Sequence, residues 1–220
     1  MPTLASQIYR SAHAYAARMF AFPDSNPESL VTFLDFPPSR YAEAGEEAIA
    51  LMERVGRLRP KVILEIGTAG GGSLVLLCRA APPDATIITV DLPHHSGGYH
   101  WTKVPLYRSF ARSKQKLHLV RGDSHSSSTL AALSAHLLNR EVDFLLIDGD
   151  NGYDGVKRDF SLYSSLVRPG GVIAFHDIRP HFREDIKVDR LWCELTPRYR
   201  HEELIADPTS NGYGIGLLYV

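Results

Sequence analysis

Cysteine is almost absent from the 220-residue chain: Cys78 and Cys193 stand far apart and in no metal-ligand spacing. That excludes a disulfide scaffold and a zinc site built on cysteines, and makes a reducing, cytoplasmic setting the expectation. An excess of charge is also missing. The 24 Lys and Arg face 25 Asp and Glu, a formal net charge of -1, where a general nucleic-acid binder would carry a marked basic surplus. No long apolar run occurs; the longest candidate, around Leu74 to Leu77, falls far short of the roughly 18 residues of a membrane span. Repeats, low-complexity tracts and a signal-peptide hydrophobic segment are lacking too. What is present, 44% hydrophobic and 22% charged residues, is the composition of a globular domain large enough for a full core.

Along the chain, residues 1–22 carry Arg10 and Arg18 without an acid, a trait of organelle transit peptides, while Ile8, Ala12, Tyr15 and Met19 recur at the spacing of an amphipathic helix. Pro23, Pro27, Pro37 and Pro38 then keep the connector from forming one long helix. The spacing of Ala48, Leu51, Met52 and Val55 predicts a helix over 41–58. After it, β-branched apolar runs at 61–66, 85–91, 117–120, 142–148 and 171–176 read as strands, with helices at 73–81, 105–113, 128–138 and 153–166 between them. Two more strands are expected at 201–205 and 213–220. Strands that are apolar throughout imply burial on both faces. The expected architecture is α/β, doubly wound and Rossmann-like: a mostly parallel seven-stranded sheet over residues 41–220 with helices on both faces, preceded by an N-terminal helical extension or cap, residues 1–40.

Such sheets bind ligands beyond the carboxyl ends of their strands. The first strand ends there in Glu65-Ile66-Gly67-Thr68-Ala69-Gly70-Gly71-Gly72-Ser73, a turn whose glycines let backbone N–H groups approach a ligand. A Walker loop would need a lysine, and none occurs between Lys61 and Lys103. The dinucleotide fingerprint needs glycine where Ala69 stands, and a nucleophile elbow needs glycine at Val75 or Ser126.

The pattern Glu-x-Gly-x-x-x-Gly-Gly-Ser, together with Thr89-Val90-Asp91, Arg121-Gly122-Asp123-Ser124, Leu146-Ile147-Asp148-Gly149-Asp150, Gly155-Val156-Lys157-Arg158-Asp159-Phe160 and the run from Val167 to Asp177, resembles the class I S-adenosylmethionine-dependent methyltransferases. Within them it is similar to the branch holding macrolide-sugar O-methyltransferases and cephalosporin-hydroxylase-like proteins. The resemblance implies S-adenosylmethionine as cofactor. Gly67, Thr68, Ala69, Gly70, Gly71 and Ser73 would face its methionine part, and Glu65 would organise the ammonium group. Asp91, with Leu92 beside it, would take the ribose hydroxyls, and Asp123 and Ser124 would lie near the adenine. From the residues alone, Glu65 and Asp91 also read as solvated strand-end carboxylates, and Ser73 as a helix cap.

The resemblance further implies a divalent metal at Asp148, His176 and Asp177, with Asp148 also reaching the cofactor. His176 replaces the first acid of the resembled pair. Magnesium prefers oxygen ligands, whereas an imidazole with two carboxylates suits manganese, iron or zinc. Asn151 stands where related enzymes often carry a histidine proposed as general base; asparagine takes no proton near neutral pH. His176 and Asp177 also fit an ordinary strand-end cap. His181 follows closely enough to serve as a reserve ligand or base, and is grouped with Asp148, His176 and Asp177 as a catalytic candidate.

His94, His95, His100 and His125 lie in other loops at the same edge, and 93–105 combines histidines, Tyr99 and Trp101 as a lid or a plain surface loop. From Leu92 to Gly122 no acid occurs against six basic residues, a solvated helix face or an attraction for an anionic substrate. The expected function is methyl transfer to a hydroxyl of a small molecule, a sugar or natural product, with metal assistance. The expected partners are that acceptor and a second copy in a homodimer, without nucleic acid or membrane. A cephalosporin-hydroxylase-like metal enzyme and a non-catalytic cofactor-binding protein are the alternatives.

Overall fold

Apolar β-branched runs in the middle of the chain form the strands of one sheet. The computed structural model describes residues 45–93, 101–207, 209 and 212–220. The extension expected at 1–40, the start of the helix expected from 41, and His94, His95, Tyr99 and His100 lie outside the described residues. The strands are β1 (Val62–Ile66), β2 (Thr86–Asp91), β3 (Lys116–Arg121), β4 (Val142–Ile147), β5 (Val167–His176), β6 (Arg200–Leu204) and β7 (Ile215–Tyr219). Their order is β3-β2-β1-β4-β5-β7-β6, parallel from β3 to β5, with β7 antiparallel to both β5 and β6. The strand order reverses between β1 and β4, which opens a crevice beyond their carboxyl ends.

Among the described residues, six helices flank the sheet: α1 (Gly45–Leu58), α2 (Gly72–Ala80), α3 (Val104–Arg108), α4 (Ser127–Leu137), α5 (Tyr153–Tyr163) and α6 (Val188–Leu195). One face packs Val55, Leu74 and Leu77 against Ile63, Phe144 and Leu217; the other packs Leu133, Val156, Tyr163 and Trp192 against Leu64, Leu145 and Phe175. Each fully buried Leu, Ile or Phe contributes roughly 1.5–3 kcal/mol to the fold. No helix among the described residues is long and apolar enough to cross a membrane.

The structure departs from the sequence expectations in four places. The helix expected over 105–113 is only five residues long, Val104–Arg108, after a 3₁₀ turn at Trp101–Lys103. Phe110, wholly buried, is drawn into the core and its N–H turns back to the Tyr107 carbonyl at 3.0 Å, so the chain tightens instead of continuing. β3 is half exposed along most of its length because it is the sheet edge, covered on fewer sides than its pattern implies. β5 begins four residues early, at Val167, with a register shift against β4 around Pro169-Gly170. Helix α6 was not anticipated, although Val188, Leu191, Trp192 and Leu195 follow helical spacing and all four are buried. Its Trp192 packs on Gly216, where a Cβ would stand 2.5 Å from the indole.

Candidate functional site

At the end of β1 the backbone must reverse against the end of β4, and Gly67 permits it. Its φ is +87°, and a Cβ there would lie 1.9 Å from the Asp148 carbonyl oxygen, so no larger residue fits this conformation and contact. The Gly67 N–H continues the ladder to the Val90 carbonyl at 2.9 Å. Thr68 and Ala69 then donate their N–H groups to Asp91 Oδ2 at 3.0 and 2.7 Å, while Leu92 donates to Asp91 Oδ1 at 2.6 Å. Three amides hold the carboxylate, and its four or so lone-pair sites leave room for a further donor. From the other side, the Ala69 carbonyl accepts from Tyr107 Oη at 2.6 Å and Lys103 Nζ at 3.2 Å. Gly71, at φ +86°, packs where a Cβ would meet the Tyr107 ring at 2.6 Å.

Glu65 and Ser73 lie beneath this turn rather than on its open side. Glu65 is fully buried, and its Oε2 accepts the Thr68 and Thr89 hydroxyls at 3.1 and 2.7 Å. Burial pushes its carboxyl up to about 7, against the hydroxyls of Ser73, Thr89 and Thr68, which favour the charged form. Ser73 is buried in the first turn of α2 and makes no cap bond; Gly71 is the cap. Gly70 is exposed with open space around it.

Above the turn opens a cleft of about 630 Å³ lined by, among others, Gly67, Ala69, Asp91, Leu92, Asp123, Ser124 and Asp148. All seven are candidates from the sequence. The cleft wall also contains Asp150, Asn151, His125, Arg183 and Asp185. Asp150 stood within a recognised motif and His125 among several loop histidines, but no pattern marked Arg183 and Asp185. Among the described lining residues, five are aspartates, 91, 123, 148, 150 and 185, against one guanidinium, Arg183, which is itself paired with Asp185 at 2.5 Å. Such a wall favours a cationic ligand.

At the ends of β4 and β5 three side chains converge. His176 Nδ1 is 3.8 Å from Asp148 Oδ1 and 3.2 Å from Asp177 Oδ1, and one donor atom from each of the three lies within 4.8 Å of the others. Asn151 Nδ2 reaches Asp148 Oδ1 at 3.5 Å and Asp177 Oδ2 at 3.3 Å. Asp177 adopts φ +59°, a conformation strained for a non-glycine residue although aspartate tolerates it better than most. Burial pushes Asp148 up to about 6, with His176 opposing the rise. For His176, burial acts downward, yet the Asp148 and Asp177 carboxylates outweigh it and hold the imidazole at about 9. Asp177 is raised by burial but ends below its ordinary value because His176 hydrogen-bonds to it. Two carboxylates held this close stay ionised together only with a positive charge between them. Here the His176 proton fills that role, and one imidazole with two carboxylates is a donor set that fits a divalent ion in its place. His181 stands apart from this group: its Nδ1 accepts the Arg183 N–H at 3.0 Å, and its ring lies tilted against Phe182, centroids 4.2 Å apart. Tyr213 lies between the two histidines, 6.4 Å from His176 and 6.0 Å from His181 by ring centroids.

Residues 64–178 match a family described as a methyltransferase domain. Among curated proteins, the chain is 30% identical over 149 residues to an uncharacterised protein of Sinorhizobium fredii, covering 64% of this chain and 16% of that one. It is 30% identical over 118 residues to an uncharacterised protein of Acanthamoeba polyphaga mimivirus, covering 54% and 52%. The chain therefore spans about half or less of these relatives. Solved structures with the same fold include the O-methyltransferase TomG from Streptomyces achromogenes, involved in tomaymycin synthesis and in complex with SAM. Its TM-score is 0.60 at 19% identity, over 90% of this chain and 91% of that one. An O-methyltransferase from Bacillus cereus in complex with SAH gives 0.60 at 21%, over 94% and 96%.

Proposed function

Since residues 64–178 make this chain a member of the methyltransferase-domain family, we propose that it transfers a methyl group from S-adenosylmethionine to a hydroxyl of a small molecule, a sugar or natural product, with a divalent cation at Asp148, His176 and Asp177. The observation that carries the cofactor reading is Asp91, fixed by the Thr68, Ala69 and Leu92 amides on the floor of an acid-lined cleft. A carboxylate with free lone pairs suits a ribose diol, and the surplus of aspartates suits a sulfonium and an ammonium. Asp123 and Ser124 line the adenine end of the cleft in this reading.

When bound, S-adenosylmethionine supplies an electrophilic methyl group, and a divalent cation lowers the pKa of a hydroxyl that it coordinates. The chain's own part is alignment and proton management. Gly67 and Ala69 keep the turn close to the ligand, and the Asp148 side of the cleft holds the acceptor oxygen in line, a proximity effect. Asn151, whose Nδ2 donates to both Asp148 and Asp177, orients the two carboxylates and takes up no proton. In the metal-free site Asp148, held at about 6, is the one of the three converging groups that can take a proton near neutral pH, since His176 is already protonated there; with a cation in place the three would serve as its ligands and the hydroxyl proton would pass to water.

Titration calorimetry with S-adenosylhomocysteine, with and without manganese, tests the reading. Binding in the micromolar range is expected, and none at about 1 mM would overturn it. Asp148→Ala and Asp177→Ala should each lower methyl release from S-adenosylmethionine by at least about 100-fold. Full turnover by both variants would remove these residues from the chemistry.

A further inference from the structure

The Gly155–Phe160 run contributes a buried carboxylate that methyl transfer does not use. Asp159, on α5, has no exposed surface, and its Oδ1 lies 3.1 Å from His125 Nε2. His125 itself lines the cleft, its side chain 16% exposed, with Nδ1 4.0 Å from Asp123 Oδ1. The same helix grips this segment twice more: Arg158 donates to the His125 carbonyl at 3.2 Å, and Tyr163 Oη donates to the Ser124 carbonyl at 2.5 Å. Asp123 closes the loop by accepting the His125 N–H at 2.8 Å. On its other side Asp159 Oδ2 faces Gly149, where a Cβ would come within 3.3 Å. One buried carboxylate thus stands between the loops that follow β3 and β4, and the imidazole beside it, His125, is a wall of the cleft. Burial pushes the Asp159 carboxyl up, with Ser124 and His125 beside it favouring the charged form.

We propose that Asp159 is a positioning residue for the nucleoside end of the cofactor, acting through His125 to hold the Asp123–His125 segment in its binding shape. It rests on the reading of the cleft as a site for S-adenosylmethionine. The physical basis is preorganisation. A loop already fixed before the ligand arrives avoids the ordering cost on binding, and Asp159, packed against the His125 ring and facing Gly149, fixes where that ring sits. Changing the carboxyl loosens the His125 ring and, with it, the wall that Asp123 and Ser124 share.

The test uses the full chain and calorimetry with S-adenosylhomocysteine and with adenosine. Asp159→Asn should weaken both by about the same factor, on the order of tenfold or more, and raise the KM for S-adenosylmethionine while kcat at saturation stays within about twofold. His125→Ala should show the same loss, and the double variant no further loss, since the two act as one unit. Asp159→Asn that stays folded and binds both ligands within about twofold of wild type would overturn the proposal, as would additive losses in the double variant. If Asp159→Asn does not fold, His125→Ala and His125→Gln carry the test alone: weakened binding supports the role, unchanged binding overturns it. A wild-type protein that binds neither ligand would instead sink the cofactor reading, and this role with it.

Discussion

On the β1–β2 side of the cleft, Asp91 is held by three backbone amides. On the β4–β5 side, Asp148 and Asp177 are held by each other's neighbours: an imidazole between them and one asparagine amide spanning both. Backbone donors are part of the chain's path and cannot leave, so the first wall is complete before any ligand arrives. The second wall balances two carboxylates against one titratable proton, an arrangement that a cation can enter by replacing that proton. A rigid wall suits recognition of an unreacting part of a ligand. A wall with an exchangeable charge suits the place where a proton has to move.

The two walls meet at Gly67, and breaking that junction should have the largest effect. Gly67→Ala introduces a Cβ 1.9 Å from the Asp148 carbonyl at φ +87°, so a loss of more than about 3 kcal/mol is expected in urea denaturation. A loss under about 1 kcal/mol would mean that the turn and the end of β4 are not packed as one unit.

Glu65→Gln sharpens the comparison from below the turn. Glu65 is raised from 4.5 to about 7 in the folded chain, so the folded state binds the extra proton across that interval. Its contribution is present below 4.5 and is lost as pH rises through about 7. The wild type should therefore lose on the order of 3 kcal/mol over this window on account of Glu65, and the variant should lack that part of the slope. Asp148, raised to about 6, contributes with the same sign and remains in the variant. The decisive quantity is the difference between the two stability–pH curves. Parallel curves would show that Glu65 is ionised in the fold.

Tyr107→Phe is the mildest break. It removes one hydrogen bond to the Ala69 carbonyl, leaving that from Lys103, and should cost about 1 kcal/mol in a thermal or urea melt. A change much larger than this would place Tyr107 as the main support of the turn.

Much of this was legible in the residues. Strands β1, β2 and β4 announce themselves because side chains buried on both faces must be apolar throughout, and the glycine turn because positive φ and close approach admit little else. Asp91 and Asp148 are legible as acids ending such strands, and Asp123 through the family resemblance of the turn after β3. Other features have no local signature. Glu65 reads like any strand-end acid; only the tertiary fold puts it under the turn with Thr68 and Thr89. Arg183 and Asp185 come to the cleft wall from a loop whose course depends on α6, a helix its own pattern permitted but did not announce. In the sequence His125 is one loop histidine among several; only the fold sets Asp159, 34 positions later, beside it.

The sequence by itself determined the alternation of strands and helices, the apolar core and the family of the central 64–178 region, because periodicity and turn chemistry act between near neighbours. The tertiary structure alone decided which strand lies at the edge, which carboxylates are buried, and that Asp148, His176 and Asp177 share a space within 4.8 Å. Those properties depend on distances between residues far apart in the chain. A carboxylate's charge state follows from what surrounds it.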